Sequence, residues 1–573
     1  MKQGIKILLY NISYRVDFPS QAFVPLAFIL LEEYIKKFTS NVDVFRYDYV
    51  IDDPESAEFN DYMSYDLVGF QLTYPNAPII VKLLEKWEDE KKRPFTIAGG
   101  VLASAIAIEL VQRYPLIDAV VVAEGEEPLV YLTKYLSGEV LMKDVPGIAY
   151  LNDQGEAVYN PGIRPIDFDQ TTIPRRDFLR GMPPDEVRRT SIRIQSARGC
   201  LGGCTFCQNS YKNRLDKIST KRWRGMSPER LIEEIEYLYH TFGVRIINFV
   251  DPSFEDPGKK GKQRIEKIAN LLLKRDLRIS FKVNMRAETF SDSDMDLLWL
   301  LKKAGMDIII LGIEACTDEE LKIFGKNADI DTITRAYWRL NNMDCFNLFI
   351  GYMPIYPYAT LASLHQSYDY LHSLGLSYAF NIFRCALIPL RGTAIYDRTI
   401  ADGLITNPDD ILAIPEYKFV DNHVFKVNMG VQKIKVDYPV LADLHKRLMD
   451  ALNIKARTTN RLFEGMLSAP EIQGAFTNYK SSIGNIRSEL NERYYSLQQE
   501  MLQMVESFWD LSEFESIAKE IVIAPAQTLL LQIETAIANY VEAVHNTGYD
   551  ISVFEAKAWG AYCQERVKIS SSS

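Results

Sequence analysis

The chain is sparing with the side chains that most often hold metals: 7 cysteines and 6 histidines in 573 residues. Every histidine lies at or beyond His240, so nothing bound by the stretch before it can be held by an imidazole. Positive charge is also short. Lys and Arg total 65 against 76 Asp and Glu, a net charge of -11. Phosphate backbones recruit basic surfaces, so a nucleic-acid partner is excluded. The one basic run, "RRDFLRGMPPDEVRR" (175–189), reads as a solvated linker. Long apolar runs are missing: "FVPLAFILLEEYI" is too short and too charged to span a bilayer. The opening "MKQGIKILLYNISYRVDF" turns polar after one short apolar strand, unlike a signal peptide. A cytoplasmic location without a membrane partner is therefore expected. There, clustered cysteines belong to metal or redox chemistry, not to disulfides. No internal repeat is present.

What is present is material for several cores. A chain of 573 residues exceeds one hydrophobic core and predicts roughly three to four units. Hydrophobic residues make up 47% and charged residues 25%, the balance of a globular protein without disordered tracts. In residues 1–149, apolar strands at "IKILLY", "VDVFRYDY", "YDLVGFQLT", "FTIAGG" and "DAVVVAEGEE" alternate with helical stretches. This pattern predicts an α/β, doubly wound, Rossmann-like domain whose ligand sits beyond the strand carboxyl ends. Residues 150–189 read as a surface linker. From 190 to 405 six strand–helix units, from "IRIQSARGC" to "YAFNIFRCALIPL", predict a partial (β/α)6 barrel with its active site at the strand carboxyl ends. Residues 406–573 form a mainly helical domain. Its core is expected at Leu497, Met501, Met504 and Phe508, and at Leu530, Ile533, Ile537, Tyr540 and Val544.

Three of the seven cysteines stand in "RGCLGGCTFCQ" (198–208): Cys200, Cys204 and Cys207. Gly199, Gly202 and Gly203 let the backbone wrap a centre to which three thiolates converge. A closed zinc site needs four ligands, and the nearest histidine, His240, is 33 residues past Cys207. A ferredoxin-type cluster wants a fourth cysteine nearby, and none follows before Cys316. The third reading is a 4Fe-4S cluster with three protein ligands and one open iron, a place for a substrate or cofactor.

This stretch, at the end of the first barrel strand, resembles the signature of the radical S-adenosylmethionine superfamily, and residues 190–405 resemble its partial barrel. The resemblance implies that Cys200, Cys204 and Cys207 ligate a 4Fe-4S cluster whose open iron binds S-adenosylmethionine. Cleavage there would give a 5'-deoxyadenosyl radical, with flavodoxin or ferredoxin as electron donor. It also implies Phe206 against the adenine, Asp251 and Ser253 ("FVDPSFED") near the methionine end, Arg286 ("VNMRAE") after the third strand, and Glu314 ("LGIEACTDEELKIFG") as a polar contact of S-adenosylmethionine. In "ALIPLRGTAIYD", Arg391 stands where the family commonly has proline, which leaves that turn open.

The first domain resembles the cobalamin-binding domain that precedes many such barrels, in the arrangement of class B radical methyltransferases. The resemblance implies that Gln71, Thr73 and Tyr74, Gly99 and Gly100, and Glu124, Gly125 and Glu126 line the cobalamin. No histidine can ligate cobalt from below, and the Asp-x-His-x-x-Gly pattern is absent; related methyltransferases bind cobalamin without it. The implied reaction is methylation of an unactivated carbon in a peptide or other small natural product. The alternative is cobalamin-independent epimerisation or rearrangement, with Cys385 or Cys316 as hydrogen donor.

Overall fold

The computed structural model describes residues 4–14, 25–39, 42–51, 64–87, 93–215, 222–379, 386–463 and 470–547. The chain divides into two compact units, neither of which follows the expected boundaries. The first joins Met1–Met182, Phe206–Glu234 and Pro389–Glu416; the second joins Pro183–Thr205, Ile235–Ile388 and Tyr417–Ser573.

In the first unit the five expected strands form β1 (Ile5–Tyr14), β2 (Val42–Ile51), β3 (Leu67–Gln71), β4 (Phe95–Gly99) and β5 (Ala119–Val121), all parallel. The runs of β1, β3, β4 and β5 are apolar at consecutive positions because both faces are covered, whereas β2, at the sheet edge, is interrupted by Asp43, Arg46 and Asp48. Leu8, Tyr10, Val68, Phe70, Ala98 and Val120 pack one way, with Ile79, Leu83 and Leu110. Ile7, Leu9, Leu67, Ile97, Ala119 and Val121 pack the other way, with Phe28, Ile35 and Leu129. The order β2-β1-β3-β4-β5 puts a topological switch point between β1 and β3, where doubly wound sheets hold ligands.

The segment 150–189 is not a surface linker. Two further strands, β6 (Ile148–Leu151) and β7 (Ala157–Asn160), extend the sheet antiparallel beyond β5. Within the basic run Arg176 is buried, paired with Glu234 at 3.3 Å and donating to Pro174 O. A charge without a partner would not survive there.

In the second unit β8 (Ser191–Ile194), β9 (Ile246–Phe249), β10 (Ser280–Arg286), β11 (Met306–Glu314) and β12 (Asn347–Tyr352) form one parallel sheet in chain order. Among the described residues the barrel therefore has five strands, plus a parallel bridge between Ile355 and Ala386. Residues 380–385 of the expected sixth strand, Cys385 included, lie outside the described residues. Along β10 and β11 burial alternates, Val283, Met285, Ile309, Leu311 and Ile313 being buried. The opposite parity, with Asn284, Arg286, Gly312 and Glu314, lines the inner face.

The carboxyl-terminal helices belong to this second unit: Asn422–Asp437, Pro439–Phe463, Pro470–Ser507, Leu511–Ala518 and Ala524–His545. Leu497, Met501 and Met504 are buried as expected, but Phe508 lies one residue past its helix and is 53% exposed. In the last helix the buried stripe runs Ala526, Leu529, Ile533, Tyr540 and Val544, leaving Leu530 and Ile537 half-buried beside it. The expectation of no apolar segment of spanning length needs correction. The helical run Leu511–His545 is long and apolar enough, by length and composition, to cross a membrane, and 22% of its most apolar stretch is buried.

Candidate active site

The cysteine loop leaves β8 and is held on two sides within the second unit. Asp251, just past β9, accepts from Ser196 N at 2.7 Å and Ala197 N at 2.9 Å, and takes the Ser196 hydroxyl on its other oxygen. Arg264 donates to Ser196 O at 3.1 Å. Burial pushes the Asp251 carboxyl up to about 6, against the pull of these donors towards the charged form. Asp251, expected beside the methionine end of S-adenosylmethionine, thus has both oxygens engaged by the chain and braces the loop entrance instead.

Five residues on, Asp256 does the same for the loop proper. It is fully buried, and its Oδ2 accepts from Leu201 N at 2.8 Å while its Oδ1 accepts from Arg286 Nη2 at 2.7 Å. From the other side, Thr205 donates from its amide to Phe324 O and from its hydroxyl to Ile323 O, each at 2.8 Å. Gly325, at φ +65°, closes that contact: a Cβ there would lie 3.0 Å from Gly203 O.

Between the clamps Gly202 stands beside two of the three sulfurs. A Cβ on Gly202 would stand 3.3 Å from Cys200 Sγ and 3.7 Å from Cys204 Sγ, so the glycine leaves room beside both sulfurs that a side chain would take up. The Gly202 amide donates to Cys200 Sγ at 3.2 Å. Among the described residues no three His, Cys, Asp or Glu side chains converge on a single ion. Cys207 follows at the start of helix Gln208–Leu215, with Phe206 half-buried in the turn before it.

Buried polar atoms without partners surround the inner face of this unit: Ser253 Oγ, Glu255 Oε2 and Arg286 Nε. Such atoms are rare without a ligand or water to satisfy them. Arg286 is otherwise committed to Asp256 at 2.7 Å, Glu288 at 3.2 Å and Glu255 at 3.8 Å. Glu314 ends β11 in the left-handed region, φ +71°, a strained conformation for a residue with a side chain. A Cβ on Gly312 would lie 2.5 Å from its Oε1, and one on Gly351 would lie 3.4 Å from its Oε2. Two glycines on neighbouring strands thus make room for this carboxylate. Burial holds its carboxyl above the usual range, against the pull of Lys326 at 3.8 Å. Lys326 also donates to Gly312 O at 2.8 Å and lies 3.6 Å from Glu288.

Cys316, expected as an alternative hydrogen donor, follows β11. It is buried, with its thiol 3.3 Å from Glu320 Oε2 and 3.4 Å from Ser367 Oγ, behind the sheet. Burial pushes this thiol up to about 12. Cys345 is buried as well.

In the first unit the residues expected around cobalamin line the carboxyl edge of the sheet. Asn76 ties that edge together, donating to Ile12 O at 3.1 Å and Gln71 O at 2.9 Å and accepting from Thr73 N at 2.8 Å. Gly100 takes φ +99°, where a Cβ would meet Leu72 O at 3.4 Å and Gln71 Cγ at 3.5 Å. Ser104 donates to Gly100 O and accepts from Ala123 N, so the turn after β4 is fixed to the one after β5. Gly99 lies open, the nearest atom to a Cβ being Val121 Cβ at 3.9 Å. Gly125 caps helix Glu126–Leu136, whose first residue is buried. Glu124 is not free for a ligand: Arg224 holds it in an ion pair. The turn at Arg391 also resolves. Its amide donates to Tyr74 Oη at 3.3 Å, which proline could not do, and its guanidinium donates to Pro408 O and Asp410 O.

Asp256, Lys326, Asn76 and Arg224 were not legible as site residues. Each acts through a partner 14 to 100 residues away, and only "FVDPSFED" hinted at an acidic turn beside the cysteines.

Residues 194–371 match the Radical SAM superfamily. The matched segment, which contains the three cysteines, is a radical S-adenosylmethionine domain. The fold is similar to that of solved cobalamin-dependent enzymes. A solved structure of the cobalamin-dependent S-adenosylmethionine radical enzyme OxsB, with aqua-cobalamin and S-adenosylmethionine bound, superposes with a TM-score of 0.65 at 19% identity, over 98% of this chain and 84% of that one. An uncharacterized methyltransferase of Pyrococcus horikoshii is 28% identical over 351 residues, 59% of this chain and 70% of the relative. The 4'-phospho-dehydrooxetanocin synthase of Priestia megaterium is 26% identical over 309 residues, 50% of this chain but only 40% of the relative.

Proposed function

We propose that this enzyme methylates an unactivated carbon of a peptide or other mid-sized natural product, using S-adenosylmethionine, a 4Fe-4S cluster and cobalamin. The observation that carries the reading is one chain holding both halves of the required equipment. A glycine sits beside two sulfurs of a three-cysteine loop, and a doubly wound sheet has its switch point and its glycine turns at one carboxyl edge. When bound, the cluster supplies the electron that cleaves S-adenosylmethionine and cobalamin carries the methyl group.

The chain's own residues would divide the work. Cys200, Cys204 and Cys207 would hold the cluster, in a loop fixed by Asp256 and Thr205. Glu314 offers a carboxylate to an ammonium group, and Ser253 offers an unused hydroxyl. Phe206 would lie against the adenine. Gln71, Thr73, Tyr74, Gly99 and Gly100 would line the cobalamin, while Glu124, Gly125 and Glu126 shape the last turn of that edge. A small one-electron carrier would serve as reductant. The relative named a methyltransferase supports transfer of methyl over epimerisation. The thiol-donor alternative loses Cys316, which is buried away from the inner face.

Reconstitution of the full chain with iron, sulfide and hydroxocobalamin tests the reading. Corrinoid absorbance should remain with the protein after gel filtration, and turnover should release both S-adenosylhomocysteine and 5'-deoxyadenosine. Absence of any corrinoid binding would refute it.

A further inference from the structure

We infer that Asp256 and Arg286 form a paired clasp on the cysteine loop, one that fixes the Cys200 segment while the arginine offsets the field of the carboxylate at its sulfur. The inference rests on the reading of Cys200 as a cluster ligand. Leu201 N, bonded to the carbonyl carbon of Cys200, donates to Asp256 Oδ2 at 2.8 Å, so the carboxylate sets the direction in which the loop leaves Cys200. Asp256 is itself closely packed. It is fully buried, and the turn bearing it packs so closely on helix Gly258–Lys274 that a Cβ on Gly261 would lie 2.0 Å from Glu255 O.

A buried carboxylate this near a thiolate site would, alone, oppose the extra electron of a reduced cluster. Arg286 answers it. Its Nη2 lies 2.7 Å from Asp256 Oδ1, and its Cδ would be 3.8 Å from a Cβ on Gly202, the same point that lies 3.3 Å from Cys200 Sγ. The two charges thus act on the Cys200 sulfur with opposite sign, and their fields oppose each other there. Backbone geometry and potential are separated: the hydrogen bond orders the loop, and the ion pair hides its charge.

The test is a potentiometric titration of the cluster, followed by electron paramagnetic resonance, in full-length D256N and R286Q without S-adenosylmethionine. Iron and sulfide per chain and the melting temperature are measured alongside. In D256N the side-chain amide oxygen can still accept from Leu201 N, but one negative charge beside the loop is lost, so the midpoint should rise. R286Q leaves the carboxylates unbalanced, so it should fall. The D256N/R286Q double variant should return towards wild type in potential and, if either single variant has lost iron, in iron content. Shifts of the same sign, no shift at full iron content, or a double variant no better than the singles would overturn the clasp. Failure of wild-type protein to take up a cluster would instead count against the proposed function.

Discussion

Glu314→Gln is the substitution that most directly probes the inner face. The glutamate sits at φ +71° at the end of β11, in a space kept by Gly312 and Gly351. Among the described residues its carboxylate has one ion-pair partner, Lys326 at 3.8 Å. A hydrogen bond to a charged group contributes about 1.5–3 kcal/mol. If Glu314 receives the ammonium of S-adenosylmethionine, neutralising it should weaken binding by about 10- to 150-fold, at about 1.4 kcal/mol per tenfold. The fold should survive, because the side-chain volume is kept and Lys326 retains Glu288 at 3.6 Å. The pH dependence gives a second signature. Burial first, and Glu288 second, raise this carboxyl above the usual range, with Lys326 opposing. Protonation removes the charge a cationic ligand needs, so affinity should be full above the raised value and lost as pH falls through it, earlier than for a solvated glutamate. Equilibrium binding of S-adenosylmethionine to the reconstituted protein across pH measures both effects. Affinity of Glu314→Gln within twofold of wild type, or an unchanged acid limb in the variant, would refute the assignment.

Three further outcomes follow from the packing. Gly202→Ala places a methyl beside the Cys200 and Cys204 sulfurs; iron per chain should drop sharply on reconstitution, while apoprotein stability holds or gains up to about 1 kcal/mol from the less flexible unfolded chain. Lys302→Met leaves Asp307 buried without its 2.7 Å partner and frees Ala456 O. A loss of about 3–5 kcal/mol is expected, visible as a lower urea midpoint, and Lys302→Met with Asp307→Leu should recover most of it. Cys316, its thiol pushed up to about 12 by burial, stays protonated at neutral and mildly alkaline pH. Mass spectrometry after iodoacetamide treatment of native protein at pH 8 should find it unmodified, and rapid labelling there would contradict its placement behind the sheet.

Much of the fold can be read from local pattern because a parallel strand covered on both faces must be apolar at every position. "ILLY", "LVGF", "TIAG" and "AVV" lie within β1, β3, β4 and β5 as expected. The antiparallel pair β6 and β7 escapes that pattern, since β6 is only four residues long, β7 is only partly covered, and the two turn through polar "NDQG". Phe508 departs from its expected place in the core because helical spacing does not reveal where a helix stops. Glu124 and Arg286 have the expected positions but different partners, as ion pairs form between segments far apart in sequence.

The three cysteines, their glycines, the strand alternation and the absence of histidine before His240 are properties of the chain itself, and they alone define the chemistry available to it. Tertiary structure decided which groups that chemistry can use. Whether a thiol is a donor or an inert buried group, as at Cys316, or a carboxylate meets a ligand or a peptide amide, as at Asp251 and Asp256, depends on burial and on partners that only folding supplies. Desolvation makes every buried charge find such a partner, and the partner chosen sets the residue's role.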